Sequence, residues 1–171
     1  MVTPVRALPV AICCAAALPA PAAAQTTQSF TVGATIVPGC RVETMAGGDW
    51  GRINLGSVPG TASGTVEADL IAAGTGIAIE CTPGTTASVR ADAGQNASGG
   101  VRALARTAGG ATRLPYRLIL EGGSEWTTQA IALDFTSATP VRRLPIRGRA
   151  VLPGALAAGR YVDTVNITIS W

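Results

Sequence analysis

Residues 161–171 read Tyr-Val-Asp-Thr-Val-Asn-Ile-Thr-Ile-Ser-Trp, in which apolar and polar side chains take turns. Successive side chains of a β-strand point to opposite faces, so a period of two is typical of a strand with one buried face. The apolar face predicted in this way is made of Tyr161, Val165, Ile167, Ile169 and Trp171, with Asp163 among them. We therefore predict a long strand at this end of the chain.

The same alternation recurs through the chain, and turn residues such as Pro59-Gly60, Pro83-Gly84 and Pro153-Gly154 punctuate it. The further predicted strands cover residues 53–58, 66–72, 77–81, 86–91, 101–105, 114–120, 131–135 and 141–147. Many short strands at this spacing predict one all-β sandwich or barrel domain. Proline lacks a backbone N–H, so Pro115 and Pro145 predict edge strands or bulges.

The composition excludes several kinds of chemistry. The 171 residues contain no histidine, and all 13 basic residues are arginine. Without histidine or lysine there is no Ser-His-Asp triad, imidazole metal ligand or Schiff-base lysine. The acids Asp134 and Asp163 are isolated, so we interpret them as hydrogen-bond partners rather than a catalytic pair. We expect no enzyme, no cofactor and no metal. A net charge of +3 gives no indication of nucleic-acid binding.

The N-terminal residues 1–24 resemble a secretory signal peptide. Arg6 supplies the positive charge, residues 8–18 form an apolar run, and Ala22-Ala23-Ala24 offers a cleavage site. The run is too short to span a bilayer, so no membrane insertion is expected. The mature domain then covers 25–171 and keeps Cys40 and Cys81, which predict one disulfide in an exported chain.

An alternating segment also follows the predicted cleavage site, at residues 28–37. Phe30, Val32, Ala34 and Ile36 share one of its faces. The last predicted strand has no later segment beside it, and an uncovered edge favours aggregation. Two interpretations stay open: residues 28–37 are the first strand of their own domain, or they fill the groove of a second subunit.

Several motifs, taken in order, resemble the spore coat protein U (SCPU) domain family, which includes pilin subunits of archaic, Csu-type chaperone–usher pili. The first cysteine is Cys40, and Leu55 and Ile119 replace residues that are often aromatic in the family. The matching motifs are Phe30-x-Val32-x-Ala34, Ile79-x-Cys81-Thr82-Pro83-Gly84-Thr85, Arg102-x-Leu104, Leu114-Pro115-Tyr116-Arg117-Leu118 and Gly159-x-Tyr161-x-Asp163-Thr164-Val165.

The resemblance implies an incomplete immunoglobulin-like β-sandwich that lacks its last strand. It implies a periplasmic chaperone that lends a strand, and an outer-membrane usher that exchanges it for the N-terminal segment of the next subunit, residues 25–37 here. The product is a homo- or hetero-polymer exported through the periplasm to the cell surface, serving adhesion and biofilm formation. The donor residues would be Phe30, Val32, Ala34 and Ile36. The acceptor groove would include Tyr161, Val165, Ile167, Ile169 and Trp171.

Other interpretations remain beside the structural pilin. The chain could be a secreted spore or cyst coat protein, or a minor tip adhesin that binds surface glycans. The sequence leaves open whether the subunit is major or minor and whether residues 28–37 pair in cis or in trans. Tyr161 is similar to the tyrosine corner of sandwich folds, whose hydroxyl bonds nearby backbone. The arginines of residues 142–149 read as a solvated edge or, alternatively, as a site for anionic polysaccharide.

Overall fold

The computed structural model describes residues 26–171, so the predicted signal peptide, residues 1–24, lies outside the described residues. The chain divides after Thr35 into two units. The described part of the first unit, residues 26–35, contains no helix or strand. The strands of the described residues lie in the second unit: β1 (Cys40–Val42), β2 (Arg52–Ile53), β3 (Ser63–Ala72), β4 (Gly74–Thr75), β5 (Ile77–Cys81), β6 (Thr86–Ala91), β7 (Ala103–Arg106), β8 (Arg113–Leu120), β9 (Ile131–Asp134), β10 (Val141–Leu144), β11 (Ile146–Pro153), β12 (Tyr161–Val162) and β13 (Ile167–Ser170).

The strands form three antiparallel sheets in a sandwich-like arrangement. The largest sheet has the order β12-β7-β8-β11-β3-β2, with β4 paired to β3. The two smaller sheets have the orders β1-β5-β10 and β13-β6-β9. The prediction of an all-β sandwich is confirmed. Within residues 26–171 the structure contains no helix of the length and apolar character needed to cross a membrane.

Strand β11 shows why these sequences form half-buried strands. Its residues alternate between buried and exposed along its whole length, Ile146, Ala150 and Leu152 being buried while Arg147 and Arg149 are exposed. Because the strand period is two, Ile146, Ala150 and Leu152 face the core, whereas Arg147 and Arg149 share the solvent face with Val151. The same alternation appears in β8 and, more weakly, in β3, the two strands that flank β11.

The core lies between the sheets and contains few large residues. Trp126, Phe135, Ile77, Ile79 and Val89 are the largest side chains with less than 2% exposure. Small side chains fill much of the remaining buried space, with Ala87 and Ala91 at 0% exposure. Truncating an aromatic residue in such a core typically costs about 3–5 kcal/mol, so Trp126 and Phe135 contribute much of the packing energy.

Pro115 lies in an interior strand, whereas Pro145 directly follows β10, which is an edge strand of its sheet. Strand β8 is an interior strand between β7 and β11, so the edge prediction for Pro115 is wrong. The backbone N–H of Tyr116 donates to the carbonyl of Arg102 on the β7 side. The nitrogen of Pro115 therefore faces β11, and the β8–β11 ladder ends at the Tyr116–Ala150 pair, where an N–H is no longer required.

Pro145 marks the place where the chain changes sheets. Strand β10 ends at Leu144 and pairs with β5, whereas β11 begins at Ile146 and pairs with β3 and β8. One predicted strand over residues 141–147 is thus two strands in different sheets. Proline interrupts the ladder here because it has no backbone N–H to contribute to either sheet.

Candidate functional site: the last strand and its free edge

In the part of the chain that the structure describes, strand β13 pairs on one side only. Its partner is β6, in a register that runs from Ile167 opposite Ala91 to Ser170 opposite Ser88. Among residues 26–171 no strand pairs with the other edge of β13. An edge of this kind presents backbone N–H and C=O groups that another strand can pair with.

The core face of β13 is covered less completely than that of its neighbour. Ile167 and Ile169 are half-buried, whereas Ala87, Val89 and Ala91 on the core face of β6 are fully buried. Both isoleucines pack against the core cluster. The free edge of β13 therefore coincides with apolar side chains that remain partly open to solvent, which is the condition for an added strand to bury more apolar surface.

The five predicted acceptor residues do not lie on one strand, as the alternation in residues 161–171 suggested. Tyr161 belongs to β12 and pairs with Arg106 of β7 in the large sheet. Val165 lies between the strands and is half-buried, and Trp171 follows β13 with 59% of its surface exposed. Only Ile167 and Ile169 share a strand.

Two carboxylates hold residues 163–166, where the predicted long strand is interrupted. Asp163 accepts hydrogen bonds from the backbone N–H and the side-chain amide of Asn96, at 2.9 and 3.2 Å, and from the hydroxyl of Tyr116 at 2.8 Å. Asp92 accepts from the backbone N–H of Asn166 at 3.0 Å and from its side-chain amide at 2.7 Å. These bonds fix the residues leading into β13 against the loop that follows β6.

The titration of this network follows from its geometry. Burial raises the pKa of Tyr116 well above its ordinary value, and its hydrogen bond to Asp163 raises it further. Burial alone would raise the pKa of Asp92, but the hydrogen bonds from Asn166 and Gly94 outweigh it, so the pKa of Asp92 is lowered. The fold therefore stabilises the neutral phenol of Tyr116 and the charged carboxylate of Asp92.

Arg102 provides a second buried anchor near the same loop. It is only 5% exposed, and its guanidinium donates to the carbonyl oxygens of Asp92, Trp126 and Thr127. The sequence predictions missed Asp92 and gave Arg102 only as part of a family motif. The local sequence around Arg102 could not reveal that it anchors this loop. Its three carbonyl partners come from distant parts of the chain and are brought together only by tertiary packing.

The predicted disulfide is confirmed. Cys40 and Cys81 face each other as a register pair between β1 and β5, and their Sγ atoms are bonded. The side chains around it include an ion pair between Arg41 and Glu80. Among residues 26–171 no group of three or more potential ligands is placed to hold a metal ion.

The predicted donor residues lie before the first strand. Residues 26–39 contain no strand, and Phe30, Val32 and Ile36 are 87%, 83% and 81% exposed. Ala34 is exposed as well. The alternation in this segment is therefore not expressed as a strand, because a strand requires a hydrogen-bonded partner.

Three smaller predictions are also settled. The hydroxyl of Tyr161 donates to the carbonyl of Ala157 at 3.0 Å, so the expected bond to nearby backbone is confirmed. Asp134 accepts a hydrogen bond from the Thr86 hydroxyl at 2.7 Å, as expected for an isolated acid. Arg142 and Arg143 lie on the edge strand β10, as the solvated-edge interpretation predicts, whereas Arg147 and Arg149 lie on the interior strand β11, where that prediction is wrong, and form ion pairs with Asp69 and Glu67.

Comparison with known proteins assigns this all-β domain to one family. The spore coat protein U domain matches residues 26–168, and the chain belongs to this family. The predicted resemblance is confirmed. No curated protein matches the chain.

Two solved structures are similar in fold. One is the CsuC–CsuE chaperone–tip adhesion subunit pre-assembly complex from archaic chaperone–usher Csu pili of Acinetobacter baumannii, with 18% identity, a TM-score of 0.52, and coverage of 80% of this chain and 40% of that chain. The other is a chaperone–tip adhesin complex of CFA/I fimbriae biogenesis, with 20% identity, a TM-score of 0.47, and coverage of 77% and 41%. This chain thus spans about two fifths of the length of the solved chains it matches.

Proposed function

We propose that this protein is a structural subunit of a cell-surface pilus that polymerises by strand donation. In this proposal the N-terminal segment of one subunit, residues 25–37, pairs with the free edge of β13 in the next. The observation that carries the proposal is the coincidence, at β13, of an unpaired strand edge with half-buried apolar side chains.

The chemistry of residues 28–37 supports the role of donor. This segment contains no charged side chain, and its apolar residues alternate with Thr31, Gly33 and Thr35. Ten residues of extended chain span roughly 33 Å, which is more than the four residues of β13 require. Burying Phe30, Val32 and Ile36 would each contribute about 1.5–3 kcal/mol, in addition to the new backbone ladder.

The partners follow from the hazard that the free edge presents before assembly. A periplasmic chaperone covers the edge of β13, and an outer-membrane usher replaces the chaperone with the next subunit's segment. The solved structure with the higher TM-score is described as a chaperone–subunit pre-assembly complex of an archaic chaperone–usher pilus, which agrees with this route. The fibre would be displayed at the cell surface and serve adhesion and biofilm formation, and the chain itself would have no catalytic role.

Arginine substitutions on the two opposite faces of residues 28–37 test the donor segment. Val32→Arg and Ile36→Arg place a charge on the face proposed to enter the groove, whereas Thr31→Arg and Thr35→Arg place it on the opposite face. We expect the first pair to abolish polymers and the second pair to preserve them. Polymer length is measured by electron microscopy after co-expression with chaperone and usher. Equal effects at the two faces would contradict strand donation.

The acceptor strand offers a matched pair of its own. Ile169→Arg charges the half-buried face of β13, while Thr168→Arg charges its exposed face. We expect only Ile169→Arg to block polymerisation. Binding to the chaperone and formation of the Cys40–Cys81 disulfide are checked in both variants, so that loss of polymers is separated from loss of folding.

Deletion of residues 25–37 tests the proposal without any substitution. We expect the shortened subunit to bind chaperone and to stay out of polymers. A copy of residues 28–37 appended after Trp171 should give a soluble monomer that no longer accepts a second subunit. Polymers of normal length from the deletion variant would overturn the proposal.

A further inference from the structure

The N-terminal segment joins the sheets through a very short attachment. Strand β1 has three residues and lies at the edge of its sheet, paired with β5 alone. Directly before it, Gly39 exchanges hydrogen bonds with Thr82, its N–H donating to the Thr82 hydroxyl at 3.1 Å and its carbonyl accepting from the Thr82 N–H at 2.9 Å. Apart from the peptide backbone, this attachment is joined covalently to the rest of the domain by the disulfide between Cys40 and Cys81.

The chain that leaves Cys81 leads directly to the last strand. Strand β6 begins at Thr86, close after Cys81 in sequence, and it pairs residue by residue with β13. The core-facing residues Ala87, Val89 and Ala91 of β6 are 0% exposed, so this strand is held firmly in the core. A path of covalent bonds and one strand pairing therefore runs from Cys40 through Cys81 and β6 to β13.

The remainder of the N-terminal half lies outside this path. The two cysteines are 41 positions apart, and the loop that their bond closes contains β2, β3, β4 and most of β1 and β5. A force that enters at Gly39 can thus reach β6 without passing through those strands. Without the disulfide, the same force would act first on the three-residue pairing of β1 and then on the chain beyond it.

We infer that the Cys40–Cys81 disulfide is a mechanical link that transmits tension from the N-terminal segment through β6 to β13 and keeps residues 41–80 out of the force path. The inference rests on the proposed function, because only in a polymer built by strand donation is the subunit pulled at its N-terminal segment and at β13. In such a fibre, tension on each domain runs from the N-terminal segment through the disulfide and β6, and crosses to β13 through the β6–β13 pairing.

Single-molecule force spectroscopy tests this path. The mature chain is held by handles placed before residue 26 and after Trp171, and the rupture force is compared between the oxidised chain and the Cys40→Ser/Cys81→Ser double variant. The double variant should rupture at a lower force. It should also lengthen by roughly 14 nm more on full unfolding, at about 3.3–3.6 Å for each of the 41 positions that the disulfide encloses.

A second substitution separates the force path from general stability. Val66→Ala weakens β3, inside the disulfide loop, while Val89→Ala weakens β6, on the path. We expect Val66→Ala to leave the rupture force of the oxidised chain unchanged and to lower that of the double-serine chain. Val89→Ala should lower the rupture force in both. The same loss from Val66→Ala in both backgrounds would overturn the inference.

Two features keep the test decisive. Should the double-serine chain fail to fold, the reduced state is prepared by adding reductant to folded wild-type chains already held between the handles, and Val66→Ala is compared before and after reduction. The measurement uses one chain and no second subunit. A failure of strand donation in the polymer assay and a failure of this force path are therefore separate results.

Discussion

Replacing Tyr116 by phenylalanine isolates one hydrogen bond in the network that leads into β13. The Tyr116 side chain is 8% exposed, and its hydroxyl donates to Asp163 at 2.8 Å. A hydrogen bond to a charged acceptor contributes about 1.5–3 kcal/mol. Since a small domain is stable by about 5–15 kcal/mol, Tyr116→Phe should remove a substantial share of its stability.

The second tyrosine of the chain provides a matched control. Tyr161 donates to a neutral carbonyl, that of Ala157, at a solvent-exposed position. Tyr161→Phe should therefore cost only about 0.5–1 kcal/mol. With a urea dependence of about 1–3 kcal/mol/M, Tyr116→Phe should lower the unfolding midpoint of the oxidised mature chain by roughly 1 M and Tyr161→Phe by about a third of that. Equal shifts in the two variants would refute this account of the network.

The pH dependence adds an independent readout for the same variant. The pKa of Tyr116 is raised in the folded state, whereas an unfolded tyrosine ionises near pH 10. The stability contributed by the neutral phenol is therefore fully present below about pH 10 and is lost as the pH rises above it. The difference in midpoint between wild type and Tyr116→Phe should narrow above about pH 10. A constant difference up to pH 11 would contradict the assignment.

Two further predictions concern an acid and a glycine. The pKa of Asp92 is lowered in the folded state, so the stability that its charged carboxylate contributes is present above about pH 4 and is lost as the pH falls further. Asp92→Asn should lower the urea midpoint at pH 7, and the difference in midpoint between wild type and variant should shrink toward pH 3. A difference in midpoint that does not change with pH would speak against the hydrogen bonds from Asn166. At Gly76, with a φ of 81°, an added Cβ would collide with the backbone of Leu144, while at Gly84, with a φ of 88°, it would meet nothing within 4 Å. Both alanine variants lose about 1–2 kcal/mol of stability because alanine disfavours a left-handed backbone. Gly76→Ala should lose at least about 1–3 kcal/mol more, measured by thermal or urea unfolding, because its Cβ collides with the Leu144 backbone. Equal losses in the two variants would show that the close approach of Gly76 to Leu144 is unimportant.

Much of the fold could be predicted from local patterns. The alternation in residues 66–72, 77–81, 86–91 and 114–120 agrees with β3, β5, β6 and β8, because the period of side chains along a strand is a property of the backbone alone. The disulfide followed from an even pair of cysteines in an exported chain. The family resemblance rested on the order of motifs, and it too is confirmed.

The candidate site could be predicted only in part. Ile167 and Ile169 lie on a free-edged strand that the alternation indicated, but Tyr161 belongs to another sheet. The donor residues and the groove they would fill stay predictions. The interruption between Tyr161 and Ile167 could not be foreseen, because the carboxylate of Asp92 that fixes Asn166 lies 74 positions away in sequence.

The sequence by itself determined that residues 66–72, 77–81, 86–91 and 114–120 form strands, that the face of β8 with Leu114, Tyr116 and Leu118 is apolar, and that Cys40 and Cys81 join. The strands and their faces depend on side chains near one another in the chain, and the two cysteines of the predicted mature domain allow only one pairing. Only the tertiary structure decided that the chain changes sheets at Pro145, that Pro115 is tolerated inside a sheet, and that one edge of β13 has no partner strand among residues 26–171. These features depend on which distant strands meet and on where their hydrogen-bonded ladders end, and no local pattern of residues contains that information.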